Sequence, residues 1–342
     1  MTDSRWTQAV LAALLVVALA TGCAKPKDAT PAPPKQSEQD KTKGPAPREG
    51  PAAQSDIDME HERAVRAFPA KTEGVGAQPL TPRVENGVKV FDLEAKVVQW
   101  EVEPGVKREA WTFGGTVPGP LIRVTEGDRV RINLKNSLPE STSLHPHGQD
   151  LRGSNEMDGV SFLTTPPTKP GESTVYEFVA SPSGTHMYHS HHDSTKQVAL
   201  GMLGPLVVDP KDKASMPVVD QEYIEVLNDG PLGYTINGKS FPATAPIVAK
   251  KGERVLVRWM NEGALLHPMH LHGSRMTVVA RDGAPLAQPM KLDVLTVAPG
   301  ERWDVLLDTS NPGKWAWHCH VLPHAEGEKG LYGLTTVLIV TP

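Results

Sequence analysis

Residues 120–134 and residues 246–259 are two versions of one pattern, and a chain that repeats a pattern of this length must build the same unit twice. The first copy runs Pro120-Leu121-Ile122-Arg123-Val124-Thr125-Glu126-Gly127-Asp128-Arg129-Val130-Arg131-Ile132-Asn133-Leu134. The second runs Pro246-Ile247-Val248-Ala249-Lys250-Lys251-Gly252-Glu253-Arg254-Val255-Leu256-Val257-Arg258-Trp259. Each reads as a strand, a glycine-containing turn and a second strand with apolar alternation. From Gly127 to His145 is 18 residues, and from Gly252 to His270 is again 18, so His145 and His147 correspond to His270 and His272. Two Greek-key β-sandwiches of roughly 120 residues each fit this spacing. The composition agrees, because 30 glycines, 32 prolines and only 5% aromatic residues favour many short strands and turns over helices.

Ten of the 13 histidines fall in four clusters, and each cluster contains a His-x-His pair: His145-Pro146-His147, His189-Ser190-His191, His270-Leu271-His272 and His318-Cys319-His320. Side chains alternate along a strand, so His318 and His320 project to one side roughly 6.6 Å apart while Cys319 projects to the other. One strand therefore joins two metal sites. Cys319 with His324 needs one more imidazole, for which His267 is the candidate, to make the trigonal two-His-one-Cys set of a blue copper centre. Four such pairs supply eight nitrogens, a donor set that suits several copper ions. Structural zinc wants four ligands, usually with several cysteines, and a single non-terminal cysteine argues against it. For a lone histidine or cysteine the plainer reading is a surface imidazole or an inert buried thiol. Here that reading would have to explain all four clusters separately.

On these four motifs, with glycines after the first and third, the chain resembles the multicopper oxidases over residues 84–342. The resemblance implies an all-β fold of two cupredoxin-like domains, 84–210 and 211–342, and four coppers per chain. It implies a type 1 copper on His267, Cys319 and His324, a type 2 copper on His145 and His270, and a type 3 pair on His147, His189, His191, His272, His318 and His320. The first copy has Ser190 where the second has Cys319 and Thr142 where it has His267, so it offers cluster ligands only. The implied reaction takes electrons singly from a small reducing substrate at the type 1 copper and uses four of them to reduce dioxygen to water. Asp158 matches an acidic residue that relatives place beside the cluster and is expected to relay protons; an ordinary Asp-Gly turn is the competing reading. Glu326 is a weaker candidate for a second relay. The axial neighbour of the type 1 copper falls at Leu331 if residues 326–329 carry a two-residue insertion. Two-domain members of the family complete the cluster between neighbouring subunits, which implies a homotrimer; an intramolecular interface in a monomer is the alternative.

The resemblance favours a laccase-like oxidase of phenol-like donors. A metallo-oxidase for Cu(I), Fe(II) or Mn(II) is the rival within the enzyme class. A copper nitrite reductase fits less well, since its blue site lies in the first domain and it needs no type 3 pair. From another class, a periplasmic copper-sequestering or electron-transfer protein would not require the eight-histidine geometry.

The formal charge of −5 on 342 residues, with no long basic run outside the N-terminal tail, gives no reason to expect nucleic acid as a partner. Residues 9–20 form an apolar run of signal-peptide length after Arg5, followed by Thr21-Gly22-Cys23. Residues 1–23 resemble a bacterial lipoprotein signal in which Cys23 becomes the lipidated residue, although Ala20 stands where that pattern prefers Leu. The expectation is an exported protein on a lipid anchor, facing the periplasm or the cell exterior; simple signal cleavage is the alternative. Cys319 then has no partner for a disulfide, and a free thiol in an oxidising compartment is hazardous unless a metal holds it. Residues 24–83 read as a disordered, Pro- and Lys-rich tether plus an N-terminal extension, with a short helix over 56–68. Of the remaining histidines, His186 is expected to be structural, His192 to support the cluster by hydrogen bonding, and His61 to be exposed.

Overall fold

The computed structural model describes residues 50–342, which belong to one compact unit. The expected signal segment and Cys23 lie outside the described residues. Two pairs of sheets follow one another along the chain. In the first pair, Arg83–Glu85, Val88–Glu103, Arg129–Asn136 and Ser173–Val179 form one sheet, with Val106–Phe113 added on Val88–Glu103. Its companion orders Ile122–Thr125, Leu203–Asp209, Gly184–His189 and His145–His147.

The second pair repeats these pairings. Val88–Glu103 runs parallel to Arg129–Asn136, and Gln221–Asn228 runs parallel to Val255–Asn261. Ile122–Thr125 runs parallel to Leu203–Asp209, and Ile247–Lys250 to Thr335–Thr341. The strand His145–His147 pairs antiparallel with Gly184–His189 as His267–Leu271 does with Gly313–Cys319. The second copy also carries a hairpin of Met276–Arg281 and Ala284–Leu292 on its outer sheet.

Alternation explains the first core. Along Arg129–Asn136, Val130, Ile132 and Leu134 point inward against Phe91, Tyr176 and Leu206, while Arg129 and Lys135 face water. The matching strand Val255–Asn261 is buried on both faces. One face enters the second core with Trp259, Trp317 and Leu338. On the other, Met260 joins Val226, Met187 and Leu203 where the two copies meet. Beside it Arg258 is paired with Asp304 at 2.7 Å and donates to Thr185 of the first copy at 2.6 Å, so the buried charge is satisfied.

Helix α1 spans Gly50–Ala67, longer than the 56–68 expected. It packs on the hairpin Glu326–Gly327/Gly330–Leu331 that follows His324. Phe68 stacks on Phe241 at 5.2 Å and 16°. His61 is half-buried rather than exposed: it donates to the Glu328 carbonyl at 3.3 Å. No helix among the described residues is long and apolar enough to cross a membrane.

Candidate metal centres

The strand Gly313–Cys319 carries Trp317 and Cys319 into the second core and leaves His318 on the outer face. Its antiparallel partner puts Met269 opposite Cys319 and His270 opposite His318. A one-turn helix, Leu322–His324, then folds His324 back over the thiol. His267 Nδ1 and His324 Nδ1 lie 3.8 and 3.7 Å from Cys319 Sγ and 3.2 Å from each other, and all three residues are buried. Two imidazole nitrogens and one sulfur converging in a dry pocket fit a blue copper ion. Burial pushes the Cys319 thiol up to about 11, so without a cation it is a neutral, inert thiol; a bound metal would hold it as thiolate.

The second ring nitrogen of His267 is not free. Its Nε2 donates to Asp229 Oδ2 at 3.1 Å, and that carboxylate also accepts from the amides of Ala264 and Leu265 at 3.0 Å each. Burial works against the charge on Asp229, but the His267 hydrogen bond and the amides outweigh it and hold the carboxyl below its ordinary value. Gly263 is required here for closeness: a Cβ would sit 2.0 Å from Asp229 Oδ2. Such partners fix the orientation of a ligating imidazole. Sequence reasoning missed Asp229, whose only local mark is the turn Asn228-Asp229-Gly230, 38 residues from His267.

Leu331 does not stand beside the thiol. It pairs with Glu326 in the hairpin and lines clefts under α1. The buried leucine bridged to both ligands is Leu334, whose carbonyl accepts from Cys319 N and whose amide donates to His324 O, both at 2.9 Å. On the open side Tyr234 stacks on His324 at 4.2 Å and 22°.

The eight histidines of the four His-x-His pairs form two sets. In the first copy His145 pairs in register with His189, their rings are 5.2 Å apart, and His147 and His191 lie 5.4 and 5.5 Å from His145. In the second, His270 pairs with His318, and the rings of His272 and His320 lie 4.6 and 5.5 Å from His270. Among the described residues no hydrogen bond or ring contact joins one set to the other. Carbonyls pin one nitrogen of several rings: His145 Nδ1 donates to Asp158 O, His189 to Ser190 O, His270 to Asp293 O and His318 to Cys319 O, at 2.7, 3.0, 3.0 and 3.0 Å. The Nε2 of each is thereby left as the available donor atom. Burial lowers His147 to about 3 and His189 to about 4, keeping both rings neutral as metal ligands must be.

Asp158 Oδ1 lies 3.2 Å from His145 Nδ1. The turn reading has its own support, since Gly159 has φ +78° and a Cβ there would come within 1.9 Å of the Leu144 carbonyl. Glu326 is exposed on the hairpin after His324. His186 is buried and donates from Nε2 to the Pro182 carbonyl at 2.9 Å, a structural role. The His192 ring packs against Phe162 at 6.0 Å instead of supporting a ligand.

Residues 94–213 and 215–338 match two family models, each described as multicopper oxidase. Among curated proteins, a laccase (Laccase-1) of Thanatephorus cucumeris is 31% identical over 70% of this chain and 46% of its own length. A copper resistance protein A homolog of Pseudomonas syringae pv. tomato is 28% identical, over 65% of this chain and 47% of its own. The chain thus spans about half the length of the curated relatives it matches. Among solved structures, the blue copper oxidase of Nitrosomonas europaea superposes with a TM-score of 0.70 at 35% identity, covering 74% of this chain and 86% of the other. A copper nitrite reductase from the same organism gives 0.65 at 27%, over 74% and 94%. These likenesses give both sandwiches the cupredoxin fold.

Proposed function

This chain belongs to the multicopper oxidase family, and from that premise we propose that it couples one-electron oxidation of phenol-like donors to four-electron reduction of dioxygen to water. The observation that carries the reading is one strand: Cys319 faces the buried nitrogens of His267 and His324, while its neighbour His318 stands among the imidazoles of the second histidine set. His267, Cys319 and His324 would hold a type 1 copper. His145 and His270 would hold a type 2 copper, and His147, His189, His191, His272, His318 and His320 a type 3 pair. Copper held there would supply reversible one-electron chemistry at the first site and dioxygen reduction at the second. The chain supplies the connection, the orientation and the protons. The backbone from Cys319 leads directly to His318 and His320, and the Cys319 carbonyl accepts from His318 Nδ1, so thiol and imidazole are joined by two short routes. Asp158, with Oδ1 at 3.2 Å from His145 Nδ1, is placed to hold a proton beside the first set.

Each histidine set holds four half-buried or exposed imidazoles, and among the described residues no hydrogen bond or ring contact joins the two sets. A ring of three copies, in which the first set of one chain meets the second set of the next, would give three complete clusters with closed symmetry. We further propose export and lipid attachment at Cys23, outside the described residues. A metal-ion donor is the second reading, favoured by the exposed carboxylates Glu326 and Glu328 on the hairpin after His324.

Oxygen uptake by copper-loaded protein, with hydrogen peroxide assayed alongside and 2,6-dimethoxyphenol, Cu(I), Fe(II) and Mn(II) as donors, tests the proposal. Uptake without peroxide is expected, fastest with the phenol. Fastest uptake with a metal ion would select the second reading, and no uptake by a blue, fully loaded protein would overturn the oxidase.

A further inference from the structure

A cleft of about 550 Å³ opens between helix α1 and the hairpin that follows His324. We infer that this cleft is the donor site, that its occupant is a small planar phenol, and that Tyr332 and Tyr234 carry the electron from it to His324. The inference rests on the proposed function for its electron acceptor, and on the following geometry for everything else.

The helix is held over the cleft at two points, within its second half and just past its C-terminus. His61 donates to the Glu328 carbonyl at 3.3 Å and lies so close to Gly330 that a Cβ there would be 2.7 Å from its Cδ2. At the second point Phe68 stacks on Phe241, and the Ala70 amide donates to the Pro242 carbonyl at 2.8 Å. Helix α1 lies outside residues 94–338, the part that matches the family models, so this wall belongs to this chain's own extension.

The lining selects the occupant. Phe241, Pro242, Leu331 and Tyr332 give apolar and aromatic surface, against which an aromatic ring packs edge-to-face or offset. Carboxylates at Glu60, Glu103 and Glu328 share the cleft with Arg63 and Lys329. Arg63 and Lys329 offset two of these three carboxylates, and a phenol needs only a place for its ring and an acceptor for its hydroxyl proton. Glu103, half-buried where Glu60 is exposed, is that acceptor.

The path inward is continuous. Tyr332 lines the cleft, and its ring centroid lies 6.4 Å from that of Tyr234. Tyr234 stacks on His324 at 4.2 Å. Tyr332 is held in place because its hydroxyl donates to the Pro323 carbonyl and its amide donates to the Ala325 carbonyl at 2.9 Å. In each encounter the phenol O–H bond breaks, the proton passes to Glu103, and one electron passes along Tyr332, Tyr234 and His324. The oxidant is the cupric ion proposed at that ligand, which becomes cuprous, and the phenol leaves as its phenoxyl radical.

The test reads binding apart from turnover. Full-length, copper-loaded, ascorbate-reduced protein is titrated with 2,6-dimethoxyphenol under argon by calorimetry, where no oxidation can occur. Ala64→Trp fills the cleft from the helix wall and Glu328→Trp from the exposed hairpin tip, so misfolding of both is avoided. Each is expected to weaken phenol binding at least tenfold and to raise KM in air to match, with the blue absorption retained. Tyr234→Leu, which removes the relay ring outside the cleft lining, is expected to lower kcat at least tenfold with an unchanged dissociation constant. Unchanged binding and KM in both tryptophan variants would overturn the donor site, and unchanged kcat in Tyr234→Leu would overturn the relay. Failure of the wild type to consume oxygen with the phenol would count against the proposed function instead, because the anaerobic titration still locates the binding site.

Discussion

Two buried carboxylates in the second sandwich carry opposite instructions. Asp229 is ionised and saturated with donors, taking hydrogen bonds from His267 Nε2 and from the amides of Ala264 and Leu265. Asp229→Ala strips the acceptor from one buried donor, His267 Nε2, whose loss costs about 1–3 kcal/mol, and from two part-buried amides that water can reach and that cost less. The copper-free variant should therefore lose about 3 kcal/mol in urea unfolding, and Asp229→Asn, which retains one acceptor oxygen, about half of that. Equal stability of all three proteins would mean that His267 is positioned by packing alone. Glu225, in contrast, is fully buried with one hydrogen bond, from Asn237 Nδ2 at 3.0 Å, and burial raises it to about 8 from 4.5. Between those values the native state holds a proton that the unfolded state has lost. Its contribution is thus complete below pH 4.5 and disappears as the pH rises through 8. Glu225→Gln should remove that slope: measured by melting temperature across pH 5 to 9, the variant should gain on the wild type as the pH increases. A wild-type-to-variant difference that stays constant over that range would assign Glu225 an ordinary pKa.

At the scale of the element, what could be read in advance was whatever local periodicity controls. Alternation put Cys319 and His318 on opposite faces of one strand, and the strand observed does so, although it ends at Cys319 and His320 is placed by its amide donating to the Pro268 carbonyl at 2.6 Å. The equal spacing from Gly127 and Gly252 to the histidine pairs gave the pairing pattern of both sandwiches. What periodicity does not encode is contact across long separations: Asp229 with His267, and the docking of α1 on the hairpin after His324. That docking hangs on few side chains, of which Phe68 on Phe241 is the largest. Phe68→Ala removes the stacked ring from a helix with few other apolar anchors. Trypsin should then cleave after Arg63 and Arg66, both exposed, at least tenfold faster, while the melting temperature of the sandwiches falls by no more than a few degrees. Cleavage at the wild-type rate would show that the hairpin contacts of His61 suffice.

Across the whole molecule the unfinished feature is the pair of histidine sets, one on each sandwich, with four imidazoles apiece and no contact between them among the described residues. If a cluster forms between copies, its two halves come from different chains, and that has a consequence no monomer can imitate. His147→Ala disables the first set and leaves the second intact; His272→Ala does the reverse. Each variant alone should take up no oxygen, since every interface then contains one damaged half. When the two are unfolded, mixed in equal amounts and reassembled with copper, an interface that joins the first set of a His272→Ala chain to the second set of a His147→Ala chain is whole. In a head-to-tail ring filled at random this occurs at about one interface in four, so oxygen uptake should return to about a quarter of the wild-type rate. The type 1 residues His267, Cys319 and His324 are untouched in both variants, and the blue absorption serves as the control for folding and loading. A mixture as inactive as its components would place both sets of each cluster within one chain, and the proposed ring would be wrong.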